Sequence, residues 1–158
     1  MGATTESVWD YPRPPALDPV REHIVVTFGG GPITRTDRAF RVLETSHPPT
    51  YYLPMDSFIE GALVPTTGSS FCEWKGQAAY FDIVGADGRV ANHAAWHYPQ
   101  PTPRFVELRE HVALYPGLMD DITIDGEHVQ AQPGDFYGGW ITSKVTGPFK
   151  GSPGTLGW

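Results

Sequence analysis

Residues 69–81 read "SSFCEWKGQAAYF". The stretch holds the single cysteine of the chain, Cys72, one of its five tryptophans, Trp74, and a lysine, Lys75, where the sequence otherwise has the look of a buried strand. Read as part of one strand over residues 71–84, its alternation puts Cys72, Trp74 and Gly76 on one face and Phe71, Glu73, Lys75 and Gln77 on the other. A bulge at Gly76 would flip the register for Ala78 and Tyr80. Three positions apart on a strand, Cys72 and Lys75 face opposite ways. The cation that would lower a thiol pKa is then out of reach, and Cys72 reads as a small packing residue. Whether Lys75 aims inward hangs on Gly76.

On the N-terminal side, "HIVVTFGGGPI" is a β-branched run closed by three glycines. It matches neither phosphate-loop pattern, and Pro32 stands where such a loop would enter a helix, so it reads as strand and turn. "ITRTDRAFRVLET" gives two strands with a tight connection at 36–38, and "SHPPTYYLP" a proline-stiffened loop entering an extended piece at 51–53. "MDSFIEGAL" reads as a single helical turn and "VPTTGSS" as a loop. Further strands are expected at 90–98 and 112–115, the first reached through a turn at Asp87-Gly88. Between them "PTPRFVELREH" places Phe105, Leu108 and Val112 at helical spacing, the one helix expected. "DDITIDGEHV" is a hairpin on Asp125-Gly126. It lacks the middle ligand of a calcium loop, so it reads as structural. No repeat of fixed period occurs.

The expected organisation is an irregular N-terminal arm over 1–22, anchored by Trp9 and Tyr11, a β domain over 23–130, and an aromatic, glycine-rich extension over 131–158 packing on it. The fold class is mainly β: one compact domain of antiparallel sheet with a short helix and long irregular termini.

At 158 residues the chain is long enough to bury one self-sufficient core. Its net charge of -7 lacks the basic footprint of a nucleic-acid binder. One cysteine forms no internal disulfide, and the N-terminal residues show neither a basic nor an apolar leader region. Glu6 stands where a myristoylation signal would want Ser or Thr, and no apolar run approaches membrane-spanning length. A cytoplasmic protein without membrane anchor is the expectation, its oligomeric state open. Aromatic residues make up 13% of the chain, enough to line pockets between strands.

Few patterns carry chemistry. His93 and His97 form H-x-x-x-H, but on a strand they share a face roughly 13 Å apart and cannot hold one ion without a bend. No metal site and no cofactor are expected from these residues. Glu44 ends its strand among apolar neighbours, so Glu44 and Lys75 meeting in an aromatic cavity would make an acid and base couple. Two solvated charges at a sheet edge are the plainer alternative. Trp96 and Tyr98 share a face of a strand that ends in alternating prolines, a surface suited to stacking or to plain core packing.

The stretches "RVLETSHPPTYYLP", "CEWKGQAAY", "AAWHYPQP" and "VALYP" occur in the order and approximate spacing of a bacterial family, domain of unknown function 427, which the chain resembles over 24–115. "QPGDFYGGWITSKVTGPFKG" is similar to the extended tail of one branch. The resemblance implies a strongly bent sheet of the Mss4-like, or β-tent, group, and puts Glu44, Tyr52, Cys72, Trp74, Lys75, Gly76, Tyr80, Trp96, Tyr98 and Pro99 at signature positions. Glu73 replaces the proline of shorter members. Relatives in the wider group use cysteine pairs for zinc or tryptophan cages for ligands; only the cage can carry over to a chain with one cysteine.

Three functions are carried forward. The first is a small-molecule-binding domain, an enzyme or not, with Trp74, Tyr80, Trp96 and Tyr98 as walls, Tyr52 beside them, and Glu44 and Lys75 as polar or catalytic groups. The second is the nucleotidyltransferase label sometimes attached to the family, for which Gly68-Ser69 lacks the paired aspartates that would hold magnesium. The third is an interaction module built on exposed Phe136, Tyr137 and Trp140.

Overall fold

A computed structural model describes residues 5–72, 74–133, 138–151 and 155. In chain order the described strands are β1 (Glu6–Ser7), β2 (Ala16–Val20), β3 (Ile24–Thr27), β4 (Pro32–Thr36), β5 (Ala39–Leu43), β6 (Thr50–Pro54), β7 (Leu63–Cys72) and β8 (Gly76–Val84). They continue as β9 (Val90–His97), β10 (His111–Leu114), β11 (Asp121–Ile124), β12 (Glu127–His128), β13 (Gln130–Ala131), β14 (Trp140–Ile141) and β15 (Val145–Thr146). A seven-stranded antiparallel sheet runs in the order β2-β5-β6-β10-β9-β8-β7, and a four-stranded sheet in the order β12-β11-β3-β4. The mainly β class read from the sequence is the observed one.

Alternation in the central strands builds two cores. Tyr51 and Leu53 of β6, and Val112 and Leu114 of β10, join the larger core with Ile24, Val26, Ile33 and Ile122 of the smaller sheet. Their immediate neighbours Tyr52 and Ala113 point to the opposite face and join a second cluster, with Ala78, Tyr98, Phe105 and Leu108. The period of two in an antiparallel strand accounts for this division, since each strand apolar at every position is covered on both faces.

The opening stretch does not form one strand. Cys72 pairs with Gly76, Ser70 with Ala78 and Leu63 with Ile83, so residues 63–84 fold as a hairpin and "VPTTGSS" belongs to β7 rather than to a loop. Gly76 sits at φ +112, a conformation open to glycine, and closes the pairing at the turn. A register shift between Thr66 and Ser69, with Gly68 at φ +104, is the bulge that lets so polar a strand pair along its length.

Two other expectations change. The segment from Pro103 to Leu108 is a 3-10 helix kinked at Phe105 (φ -116, ψ 21), and no α-helix forms among the described residues. With Pro101 and Pro103 at its start and β10 beginning at His111, it has no room for more turns. The arm over 1–22 is not wholly irregular: β2 pairs with β5 along five residues, with Pro19 tolerated because β2 is an edge. Arg41 of β5 secures this arm, its guanidinium donating to Asp18 at 2.8 Å and to both oxygens of Glu6 at 2.9 and 3.0 Å. Among the described residues, no helix is long and apolar enough to cross a membrane.

Candidate functional site

The second cluster gathers most of the residues singled out from the sequence. β6 supplies Tyr52, the β7–β8 turn supplies Trp74 and Lys75, and β9 supplies Trp96, with Tyr98 just beyond its end. Tyr52 and Tyr98 are buried there, and Cys72, Trp74 and Trp96 pack against them half-buried. Cross-strand pairing of Tyr80 with Trp96 puts Tyr80 on the same face. Its ring nevertheless lies 5.8 Å from His93 and its hydroxyl is 2.8 Å from that of Ser70, so Tyr80 stands at the outer margin.

Lys75 is inward. It is only 8% exposed, and its Nζ lies 5.8 Å from the centre of the Tyr98 ring and 6.0 Å from that of Phe105. Both distances are within the reach of a cation-π contact. The turn holding it is tied down from the far side: Thr102 donates its Oγ1 to the Trp74 carbonyl at 2.6 Å and its N–H to the Lys75 carbonyl at 3.1 Å. A methyl group at Gly76 would press on the Gln100 carbonyl at 3.2 Å, so hairpin and loop pack in direct contact. The inward path of Lys75 therefore follows from a turn rather than from a bulge in a continuous strand. For the same reason Cys72, half-buried and free, packs on the same cluster that Lys75 reaches, instead of facing away.

Glu44 does not meet Lys75. Among the described residues no carboxylate lies within 4.0 Å of the Lys75 ammonium. Glu44 is half-buried in the loop after β5, and its charge acts on Tyr52, whereas the charge of Lys75 acts on Tyr98. The two rings lie 6.3 Å apart.

Burial raises the pKa of the Tyr52 hydroxyl above the ordinary phenol range, against the lowering effect of hydrogen bonds with Trp96 and Tyr98. Burial likewise raises that of Tyr98, as does the neighbouring Tyr52, with Lys75 acting in the other direction. Both groups are neutral phenols across the physiological range and can donate a proton in a hydrogen bond. Beside the cluster, a groove of about 250 Å³ runs between β8 and the loop after β9, lined by Ser69, Gln77, Ala78, Ala79, Pro99 and Gln100. Ala78 is shared between groove and cluster.

The histidine pair is separated more completely than a regular strand would allow. His93 sits at φ +50 beside the register shift of β8 and β9; its ring contacts Tyr80, while that of His97 lies 4.8 Å from Phe81 in the larger core. The two rings contact opposite faces of the sheet. Among the described residues, no group of three or more His, Cys, Asp or Glu side chains is placed to share a metal ion.

Phe105 and Thr102 went unremarked in the sequence as parts of the site. The proline alternation Pro99, Pro101 and Pro103 was the available signal, because it forces the loop back across the hairpin end instead of onward as strand. The expected aromatic patch on the extension takes a different form: Trp140 is 1% exposed and stacked on Tyr51 at 4.6 Å, while Phe136 and Tyr137 lie outside the described residues. Gly138 of the extension adjoins the far edge of the Trp96 indole, where an added methyl group would overlap the ring and stand 3.2 Å even from Cζ2.

No curated protein matches the chain. A family model does, from β2 through the turn after β11, and it takes in every predicted site residue from Glu44 to Tyr98. On that match over residues 16–125, the chain belongs to the family described as domain of unknown function (DUF427).

Proposed function

We propose that the domain binds a small molecule at the Lys75 cluster, with Trp74, Trp96 and Tyr98 as walls and Tyr52 as the buried polar group behind them. One observation carries this reading: a lysine more than nine-tenths buried, its ammonium group over two aromatic rings, with no carboxylate within 4.0 Å among the described residues. A few polar groups set among aromatic side chains are the usual make-up of a small-molecule site, and a cation without a carboxylate beside it can meet a ligand's own charge.

In its catalytic form the reading gives Glu44 the general base, Lys75 the stabiliser of negative charge, and the Tyr52–Tyr98 pair the connection between them. Support for Glu44 is narrower, resting on its half-buried position and its action on Tyr52. The nucleotide alternative has less support, since the described residues bring together no acidic cluster of the kind that holds magnesium for phosphoryl chemistry. The interaction-module alternative loses Trp140 to the core.

The test is a fragment screen read on the tryptophan indole N–H signals by NMR. Fragments occupying the site shift the Trp74 and Trp96 signals and leave Trp140 unmoved, and Trp96→Phe weakens them. A library that moves neither Trp74 nor Trp96 overturns the reading. With a turned-over substrate in hand, Glu44→Gln is expected to lower kcat by about 100-fold or more with binding preserved; unchanged kcat removes Glu44 from the chemistry.

A further inference from the structure

We infer that the Lys75 site takes a small planar monoanion, a carboxylate carried on a flat and largely apolar body. The inference rests on the reading of this cluster as a binding site and adds the class of ligand. Its first ground is charge. The ammonium of Lys75 offers three N–H donors, and no carboxylate among the described residues comes within 4.0 Å of it. Tyr52 and Tyr98 do not supply the missing negative charge, because burial keeps both protonated. The two rings that face the ammonium offer only the weak attraction of their π-faces.

The second ground is the amount of charge. Among the described residues, Lys75 is the cation that contacts the Tyr98 and Phe105 rings. A single ammonium balances a monoanion; a di- or triphosphate would leave several charges uncompensated in an aromatic surrounding. Shape gives the third ground. The adjoining groove holds about 250 Å³, below the roughly 300–1,000 Å³ of sites for drug-sized ligands. The half-buried indoles of Trp74 and Trp96 favour a planar body, which offset stacking would hold while the carboxylate meets Lys75.

Three probes that share one phenyl body separate the possibilities: phenylacetate, phenylacetamide and phenethylammonium, titrated into the protein and followed on the Trp74 and Trp96 indole signals. Phenylacetate is expected to bind about tenfold to a hundredfold more tightly than the amide, an advantage that Lys75→Met removes and Lys75→Arg largely keeps. Equal or tighter binding of the amide or the ammonium probe at those two signals overturns the anion class and leaves the binding reading standing. Failure of all three at millimolar concentration overturns both. The wild-type comparison needs no variant, so a Lys75→Met protein that does not fold still leaves the inference open to refutation.

Discussion

At Gly76 the backbone stands at φ +112 and the Gln100 carbonyl lies 3.2 Å from where a Cβ would be. Gly76→Ala therefore strains the turn and crowds the loop together, and is expected to cost about 1–3 kcal/mol of stability, read as a lower midpoint in urea denaturation with an unchanged slope. The same substitution is expected to loosen the hold on Lys75, so that an amine-acylating reagent modifies Lys75 faster in Gly76→Ala than in wild type while exposed lysines react equally. Lys75 was legible in the sequence as an anomaly, a charge amid apolar strand residues. Its direction was not, because alternation assumes that the strand continues, and the chain turns between Cys72 and Gly76. Glu44 was legible in the same way, but its partner was not: whether two charged side chains meet depends on how separate strands and loops pack, which alternation within one strand does not encode.

Among the elements, the extension shows how a segment beyond the family match at residue 125 bears on the site. The N–H of Gly139 donates to Oε1 of buried Gln132 at 3.1 Å, whose Nε2 donates to the Lys150 carbonyl at 2.8 Å. Trp140 donates its backbone N–H to the Pro49 carbonyl at 2.8 Å. These contacts hold Gly138 against the outer edge of Trp96. Gly138→Ala must displace the indole or the extension, and is expected to cost about 1–3 kcal/mol by overpacking. Its distinguishing readout is a shifted Trp96 indole N–H signal with the Trp140 signal unchanged; a Gly138→Ala spectrum identical to wild type at Trp96 refutes the contact. Strand positions were largely legible, since β-branched and aromatic runs broken by glycine and proline mark them locally. The β7–β8 hairpin was missed because "VPTTGSS" carries loop-forming residues that pairing with β8 overrides.

For the whole molecule, attachment of the N-terminal arm and the acid side of stability come from the same groups. Arg41 has a side chain only 5% exposed and relies on Glu6 and Asp18 as counter-charges. Glu6→Ala leaves part of its guanidinium unpaired and is expected to cost about 3 kcal/mol, the low end for breaking a buried pair because Glu6 itself is partly solvated; chemical denaturation measures it. The hydrogen bond with Arg41 holds the Glu6 carboxyl below its ordinary value of 4.5. With the folded-state value lowered, its stabilisation is complete above about 4.5 and disappears as pH falls through the folded value. Burial lowers His97 and His111 from 6.5, and for these the unfolded chain binds protons first, so stability also declines as pH drops below about 6.5. Thermal midpoints are expected to fall in two stages between pH 7 and 3, with Glu6→Gln flattening the lower stage; a flat profile over that range contradicts the assignment.

At this scale the division between sequence and tertiary structure is clear. Alternation in "ITRTDRAFRVLET", glycine and proline punctuation and a single cysteine established a mainly β chain with an aromatic signature. These are local properties with a period of two residues. Which side of each strand met which partner was settled by sheet order and by loops returning from residues 72–76 and 98–108. Convergence of Tyr52, Trp74, Lys75, Trp96 and Tyr98 depends on contacts between distant segments, and only burial of the folded sheet against its covering loop selects them.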